Sequence, residues 1–397
     1  MTERADALES ERSGPERPAP GDGPADLVIV GGRIMDAAGG FSGPGEVAIR
    51  DGLVAAVGPS VGPGARTLDA GGRLVLPGLI DLHTHIFPGY HGADPDVVCL
   101  PRGTTTALDG GSAGARAIGL FGATVAGTRR TRVGAWLNLS TIGLIDINVG
   151  ELQQLLYANV DAAIEAAAAR PDLVVGFKLR ISEYVVGGDF RPVLRLARAT
   201  SDGAGLPLLV HIGDTNQPLT DALGFLRPGD IVTHAYSGRR HGIFATDGSV
   251  LPEVREARAA GIRFDGAHGR RHFSFDAARR ALDQGFPLDT LSSDISHRAV
   301  TNPAFHLPLV MSKLMACGAS LEDVVPLVTS APASVLGRAG EIGTLRPGAG
   351  GDVAVLDVVE EDVELTDAEG RRVLARRVLR PWRTVRAGLV HEAPAGC

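Results

Sequence analysis

The chain has 397 residues, 44% of them hydrophobic, with a formal net charge of −7 and a mean hydropathy of +0.10. Such a composition suits a globular protein with one large domain and a smaller one. The acidic balance, without any Lys/Arg-rich run, argues against nucleic acid or an anionic membrane surface as partner. Cys99, Cys317 and Cys397 are far apart and form no Cys-x-x-Cys pair, which speaks against a thiolate zinc site or a disulfide framework.

In chain order, residues 1–25 mix charges with Pro and Ala and read as a disordered tail, not a signal peptide. No run of about 18 apolar residues follows, so a cytoplasmic protein without a membrane span is expected. From Asp26 the pattern is short strands: Leu27–Val30, a turn at Gly31-Gly32, then Arg33–Met35, and a hairpin turning at Asp51-Gly52. The same style returns late, at Gly351–Asp357, Leu374–Val378 and Val385–His391. The two ends, residues 26–78 and 337–397, are expected to pair as one small β-sandwich domain.

Between them, residues 79–336 alternate apolar runs with amphipathic helices, as in Ala162–Ala167 before Leu173–Val175 and Val254–Ala260 before Ile262–Phe264. Roughly 255 residues of such alternation match a (β/α)8 TIM-like barrel. A doubly wound sheet is the alternative, weakened by the lack of a Gly-x-Gly-x-x-Gly after an early strand.

Only two of the 39 Lys and Arg residues are lysines, Lys178 and Lys313. Arginine stays protonated, whereas a buried lysine can become neutral and react. Lys178 sits in Val174–Ser182, which reads as a strand ending in polar residues, and there an amine could take up CO2 as a carbamate and bind metal. Lys313 lies in an apparent helix, Leu307–Gly318, and is assigned no chemical role.

Other polar residues also end apolar runs. The first barrel strand, Gly78–Leu82, runs into His83-Thr84-His85, whose imidazoles, two residues apart, point the same way. Pro207–Val210 ends in His211, Asp230–Thr233 in His234, and Leu288–Ser293 in Asp294. Each alone is compatible with a hydrogen-bonded strand exit; all lie at the barrel face where sites are built. A lysine carbamate would bridge two ions, and nitrogen and oxygen ligands suit Zn2+, with Mn2+ or Fe2+ as alternatives.

This set resembles the amidohydrolase superfamily, in its binuclear branch with a carboxylated lysine. The resemblance is carried by Pro77–His85, Thr329–Ala333 and Gly348–Val355, and it covers nearly the whole chain after residue 26. Asp109–Gly114 and Gly266–Gly269 followed by Phe273–Phe275 are similar to the deacetylase-type subgroup that includes acetyl-(R)-mandelate-type esterases.

The resemblance implies one metal on His83, His85 and Asp294, a second on His211 and His234, and Lys178 between them. Asp294 is implied to pass a proton from a shared hydroxide to the leaving group. His268, Arg102, Ser112, Asn216 and Arg180 are candidate substrate-binding donors. His91, His241, His272, His297 and His306 lack the strand-end pattern and are left aside. A dihydroorotase is expected to have Arg where this chain has Phe87. The expected reaction is hydrolysis of an acyl ester or amide in a small acylated hydroxy or amino acid, with a cyclic amidase or deaminase as the alternative. The expected partners are a small-molecule substrate and further copies of the chain.

Overall fold

The computed structural model describes residues 23–146, 148–297 and 306–395. The expected tail therefore lies outside the described residues up to position 22. The chain opens with β1 (Leu27–Asp36), β2 (Phe41–Arg50), β3 (Leu53–Gly58), β4 (Thr67–Asp69) and β5 (Leu74–Pro77). Gly31-Gly32 does not turn the chain. β1 runs through both glycines, and its register with β2 slips between Ile29 and Gly32, so the pair makes a bulge. The Asp51-Gly52 hairpin forms as expected, with φ of 52° and 72°, the left-handed pair that joins two antiparallel strands in a two-residue turn.

The barrel strands follow: β6 (Leu79–Thr84), β7 (Thr104–Asp109), β8 (Arg132–Asn138), β9 (Val174–Arg180), β10 (Leu208–His211), β11 (Ile231–Thr233) and β12 (Arg263–Asp265). They pair in parallel in sequence order. Residues 289–295 close the ring. Asp289 donates to Phe264 and Gly266 donates to Thr290 on one side; Asp294 donates to His83 and His85 donates to Ile295 on the other.

Helices cover the outside. In Arg191–Ala204, the buried Val193, Leu194, Ala197, Thr200 and Ser201 recur at one-face helical spacing. Inside the ring, Ile80, Leu82, Leu108, Trp136, Leu209 and Ile231 form an apolar plug, topped up by Ala333 and Ile342. Full burial of each large side chain contributes about 1.5–3 kcal/mol, and the plug leaves only the strand C-terminal ends open for polar chemistry. No helix among the described residues is long and apolar enough to cross a membrane.

The chain finishes with β13 (Val353–Val359), β14 (Val363–Thr366), β15 (Arg372–Ala375), β16 (Val378–Arg386) and β17 (Leu389–Glu392). β13, β16 and β17 extend the N-terminal sheet, in the order β17-β16-β13-β5-β1-β2-β3, with β4 beside β1. The sheet is continuous and mixed, since β1 runs parallel to β4 and β5. Val54 and Val385, from distant strands, share one apolar core, so the sheet folds around its own interior. Val385–His391 is a hairpin, not one strand, turning at Ala387-Gly388 with φ of 48° and 80°.

The β14–β15 hairpin reaches back to the barrel. Asp367 accepts from the Phe275 N–H at 2.9 Å, and the Ala368 N–H donates to the Phe273 carbonyl at 3.0 Å. These contacts brace the segment after β12.

Candidate metal centre

The expected ligands meet at the C-terminal mouth of the barrel. Lys178 Nζ lies 2.9 Å from His83 Nε2. Asp294 Oδ1 lies 3.7 Å from His83 Nε2 and 3.2 Å from His85 Nε2. His211 Nδ1 and His234 Nε2 face one another at 2.9 Å. His83, His234 and Asp294 have ligand atoms within 4.8 Å of one another, so His234 joins the two halves of the centre.

Two of these residues sit on strained backbone. His234 has φ of 72° and Asp294 of 53°, the left-handed region that costs a non-glycine residue about 1–3 kcal/mol. His234 follows the buried end of β11 and Asp294 the buried segment 290–293, and the left-handed step aims each side chain inward. Gly111 serves the same crowding: with φ of 92°, it passes Lys178 so closely that a Cβ would lie 2.5 Å from Lys178 Cγ.

The imidazoles are oriented from behind. Thr233 Oγ1 donates to Asp265 Oδ2 at 2.7 Å, so its lone pair accepts from His83 Nδ1–H at 3.0 Å. Asp265 is itself held by Thr290 and Ser292, each 2.8 Å away. His234 Nδ1–H donates to the Ala267 carbonyl at 3.0 Å, and His85 Nδ1 meets Ser112 Oγ at 2.9 Å. A carbonyl only accepts, so His234 must carry its proton on Nδ1, which leaves the Nε2 lone pair facing the centre. His83 is set in the same way, which is how metal-binding histidines are held.

Electrostatics favour the ligand forms. Burial first, then the charge of Lys178, pushes His83 well below the ordinary imidazole value. Burial and neighbouring imidazoles do the same to His211 and His234, which keeps all three neutral. Burial alone would raise the Asp294 pKa, but His83 and His85 outweigh it and hold the carboxyl well below the carboxylate range. Burial brings the Lys178 ammonium down to about 7. Neutral imidazoles, an anionic carboxylate and an amine able to lose its proton form a donor set suited to divalent ions. Among the described residues, Cys99 and Cys317 are buried, and burial raises both thiols.

The candidate substrate-binding residues fare differently. Arg180 reaches the centre's wall, buried, 3.5 Å from Glu151 and donating to Tyr184 Oη at 2.5 Å. Ser112 is at the centre, but its hydroxyl supports His85. His268 is fully buried and both its ring nitrogens are engaged, Nδ1 by the Gly269 carbonyl at 2.6 Å and Nε2 by Lys313 Nζ at 2.9 Å. Asn216 is exposed; with its amide nitrogen turned toward Glu183, it donates to that carboxylate at 2.7 Å. Arg102 is corrected outright. It precedes β7, at the N-terminal face, and donates to the Val97 carbonyl at 2.7 Å, far from the mouth.

Two residues set aside in the sequence stand near the centre. Lys313 is buried, and its neutral form is made accessible by burial, which lowers its ammonium to about 7. The scarcity of lysine that marked Lys178 applied equally to it. His272 belongs to a group with His211 and His234 whose ligand atoms lie within 4.8 Å of one another. It follows a loop rather than a strand, so no periodic signal announces it.

No family model matches the chain. A deacetylase of Agrobacterium fabrum is 33% identical over 338 residues, 83% of this chain and 82% of its own. A deacetylase of Enterococcus faecalis is 31% identical over 376 residues, 92% and 99% of the two chains. Two solved structures, described as a dihydroorotase and an adenine deaminase, each superpose with a TM-score of 0.85 at 30% identity. They cover 92% and 93% of this chain and 97% and 100% of their own. With these relatives and this barrel, the chain belongs to the amidohydrolase superfamily and is a hydrolytic enzyme.

Proposed function

We propose that the chain is a binuclear metal hydrolase that removes the acyl group from a small, carboxylate-bearing acylated hydroxy or amino acid, with Lys178 carboxylated. The observation that carries this reading is the convergence of His83, His85, His211, His234 and Asp294 on a buried lysine amine. Divalent ions there, Zn2+ being best suited to these donors, would polarise the scissile carbonyl and acidify a water. A carbamate on Lys178 replaces a cation by an anion with two donor oxygens, which removes the repulsion a bare ammonium would exert on the ions. Asp294, aimed into the same space, accepts the proton of the attacking water and returns it to the leaving oxygen or nitrogen.

Substrate charge is read from the surroundings. After Asp294, the charges acting on His272 at the mouth are Arg239, Arg180 and Arg271, with Arg180 beside Glu151 and Arg239 beside Asp214, so cationic groups stand near an incoming ligand. Arg180 is the guanidinium built into the wall. Phe87, where a dihydroorotase would carry a carboxylate-binding arginine, is buried, stacked 4.4 Å from the Tyr90 ring and edge-on to Phe121. A clamp at that position is absent, which favours linear acyl substrates over dihydroorotate. The relatives named deacetylases support the same choice, while the solved dihydroorotase and adenine deaminase keep cyclic amides and aminopurines as the second reading.

The test is elemental analysis of the purified protein followed by kinetics on acetylated 2-hydroxy acids and N-acetyl amino acids of both hands. Two ions per chain and highest kcat/KM on these substrates are expected. Faster turnover of cyclic imides or aminopurines would reverse the substrate choice; a single ion at full activity would overturn the binuclear centre.

A further inference from the structure

Beyond the six expected ligands, we infer that His272 is a third imidazole ligand of the outer metal ion, beside His211 and His234. The inference rests on the binuclear reading above. The His272 ring is 4.1 Å from that of His234, tilted by 31°, and 4.7 Å from that of His211, nearly perpendicular to it. Ligand atoms of all three lie within 4.8 Å of one another. Imidazole nitrogens sharing one zinc ion sit about 3.3 Å apart, given bonds of about 2.0–2.1 Å in tetrahedral geometry, so small ring movements complete the site.

A buried nitrogen marks the place: His272 Nδ1 makes no hydrogen bond. A buried polar atom without a partner is costly, and a bound cation satisfies a nitrogen lone pair as well as a donor would. His272 is also positioned by a firm scaffold. Its N–H donates to the His268 carbonyl, and the next residues, Phe273 and Phe275, are held by Ala368 and Asp367 of the β14–β15 hairpin. That hairpin comes from late in the chain, so the third imidazole's loop is braced by the C-terminal segment folded against the barrel.

The consequence is an asymmetric centre. Besides an anionic carbamate oxygen from Lys178 at each ion, the inner ion would see His83, His85 and Asp294, including a carboxylate; the outer ion would see three neutral nitrogens. Nitrogen-rich sites favour the later first-row metals, whereas carboxylate suits Mg2+ and Mn2+ better. The outer position should therefore discriminate more strongly for Zn2+ or Co2+ over Mn2+.

The test is Co2+ titration of chelator-stripped full-length protein, read by visible absorption and metal content, for the wild type, His272→Ala and His272→Cys. The wild type should take up two ions. His272→Ala should keep the first and bind the second at least about tenfold more weakly, since losing even an outer partner of a ligand costs about 10–100-fold. His272→Cys should recover the second ion and add a thiolate-to-cobalt charge-transfer band, which only direct ligation produces. Unchanged second-ion affinity in His272→Ala overturns the inference. So does weaker binding in His272→Ala without the new band in His272→Cys, since His272 would then only support its neighbours. A wild type that binds one Co2+ instead refutes the binuclear reading on which the inference stands.

Discussion

Lys178→Met should stabilise the metal-free protein while abolishing its chemistry. Methionine has nearly the volume of lysine but neither its charge nor its amine. Burial lowers the Lys178 pKa from 10.5 to about 7, and at 1.36 kcal/mol per pH unit this corresponds to about 5 kcal/mol of cost for holding the ammonium in the fold. That shift is already net of the attraction of Asp294, which opposes it, so a gain of up to about 5 kcal/mol is expected.

The pH dependence follows from the direction of the shift. Below about pH 7 the amine is protonated in both the folded and unfolded states, and the fold bears the whole cost. Between about 7 and 10.5 the unfolded chain binds more protons, so wild-type stability rises with pH. Above 10.5 the cost is gone. Lys313 has a similarly lowered value, but it is present in both proteins and cancels in the difference. The assay is urea unfolding of chelator-treated wild type and variant in CO2-free buffer from pH 6 to 10.5. The variant's advantage should be largest at pH 6 and shrink to nothing near 10.5, and elemental analysis should show loss of bound metal. A stability difference independent of pH, or a variant less stable at pH 6, would refute the reasoning that Lys178 is held in the fold at the expense of its charge.

Asp294→Asn should fold and retain most of its metal yet lose about 10²-fold or more in kcat, checked across a pH–rate profile. Thr233→Val removes the acceptor for His83 Nδ1–H and the link to Asp265; competition with a chromogenic chelator should show metal affinity about 10–100-fold lower with an unchanged circular dichroism spectrum. Arg180→Met should raise KM for carboxylate-bearing substrates with little change in kcat, while their neutral methyl esters are almost unaffected. Equal effects on both substrate forms would make Arg180 a partner of Glu151 only.

The barrel and the convergence of the six candidate ligands were legible because their signals are local. A strand alternates with period two and ends where its polar residues begin, so His83, His85, Lys178, His211, His234 and Asp294 announced themselves as residues closing apolar runs. Arg102 could have been placed by the same rule, since it precedes its strand rather than following it. The roles of Ser112, His268 and Asn216 were not legible. Each is a polar residue near the mouth in sequence, but what it meets depends on the element opposite: His85 just past β6, Lys313 from a late helix, Glu183 from a short helix after β9. His272 required more still. It has no periodic context, and it stands beside His211 and His234 because β12's following loop is pinned by a hairpin nearly a hundred residues later. Strand patterns and strand ends are properties of one stretch of chain; hydrogen-bond partners, ring contacts and the pKa of a buried amine arise only when distant stretches exclude water together, and these the tertiary structure alone decided.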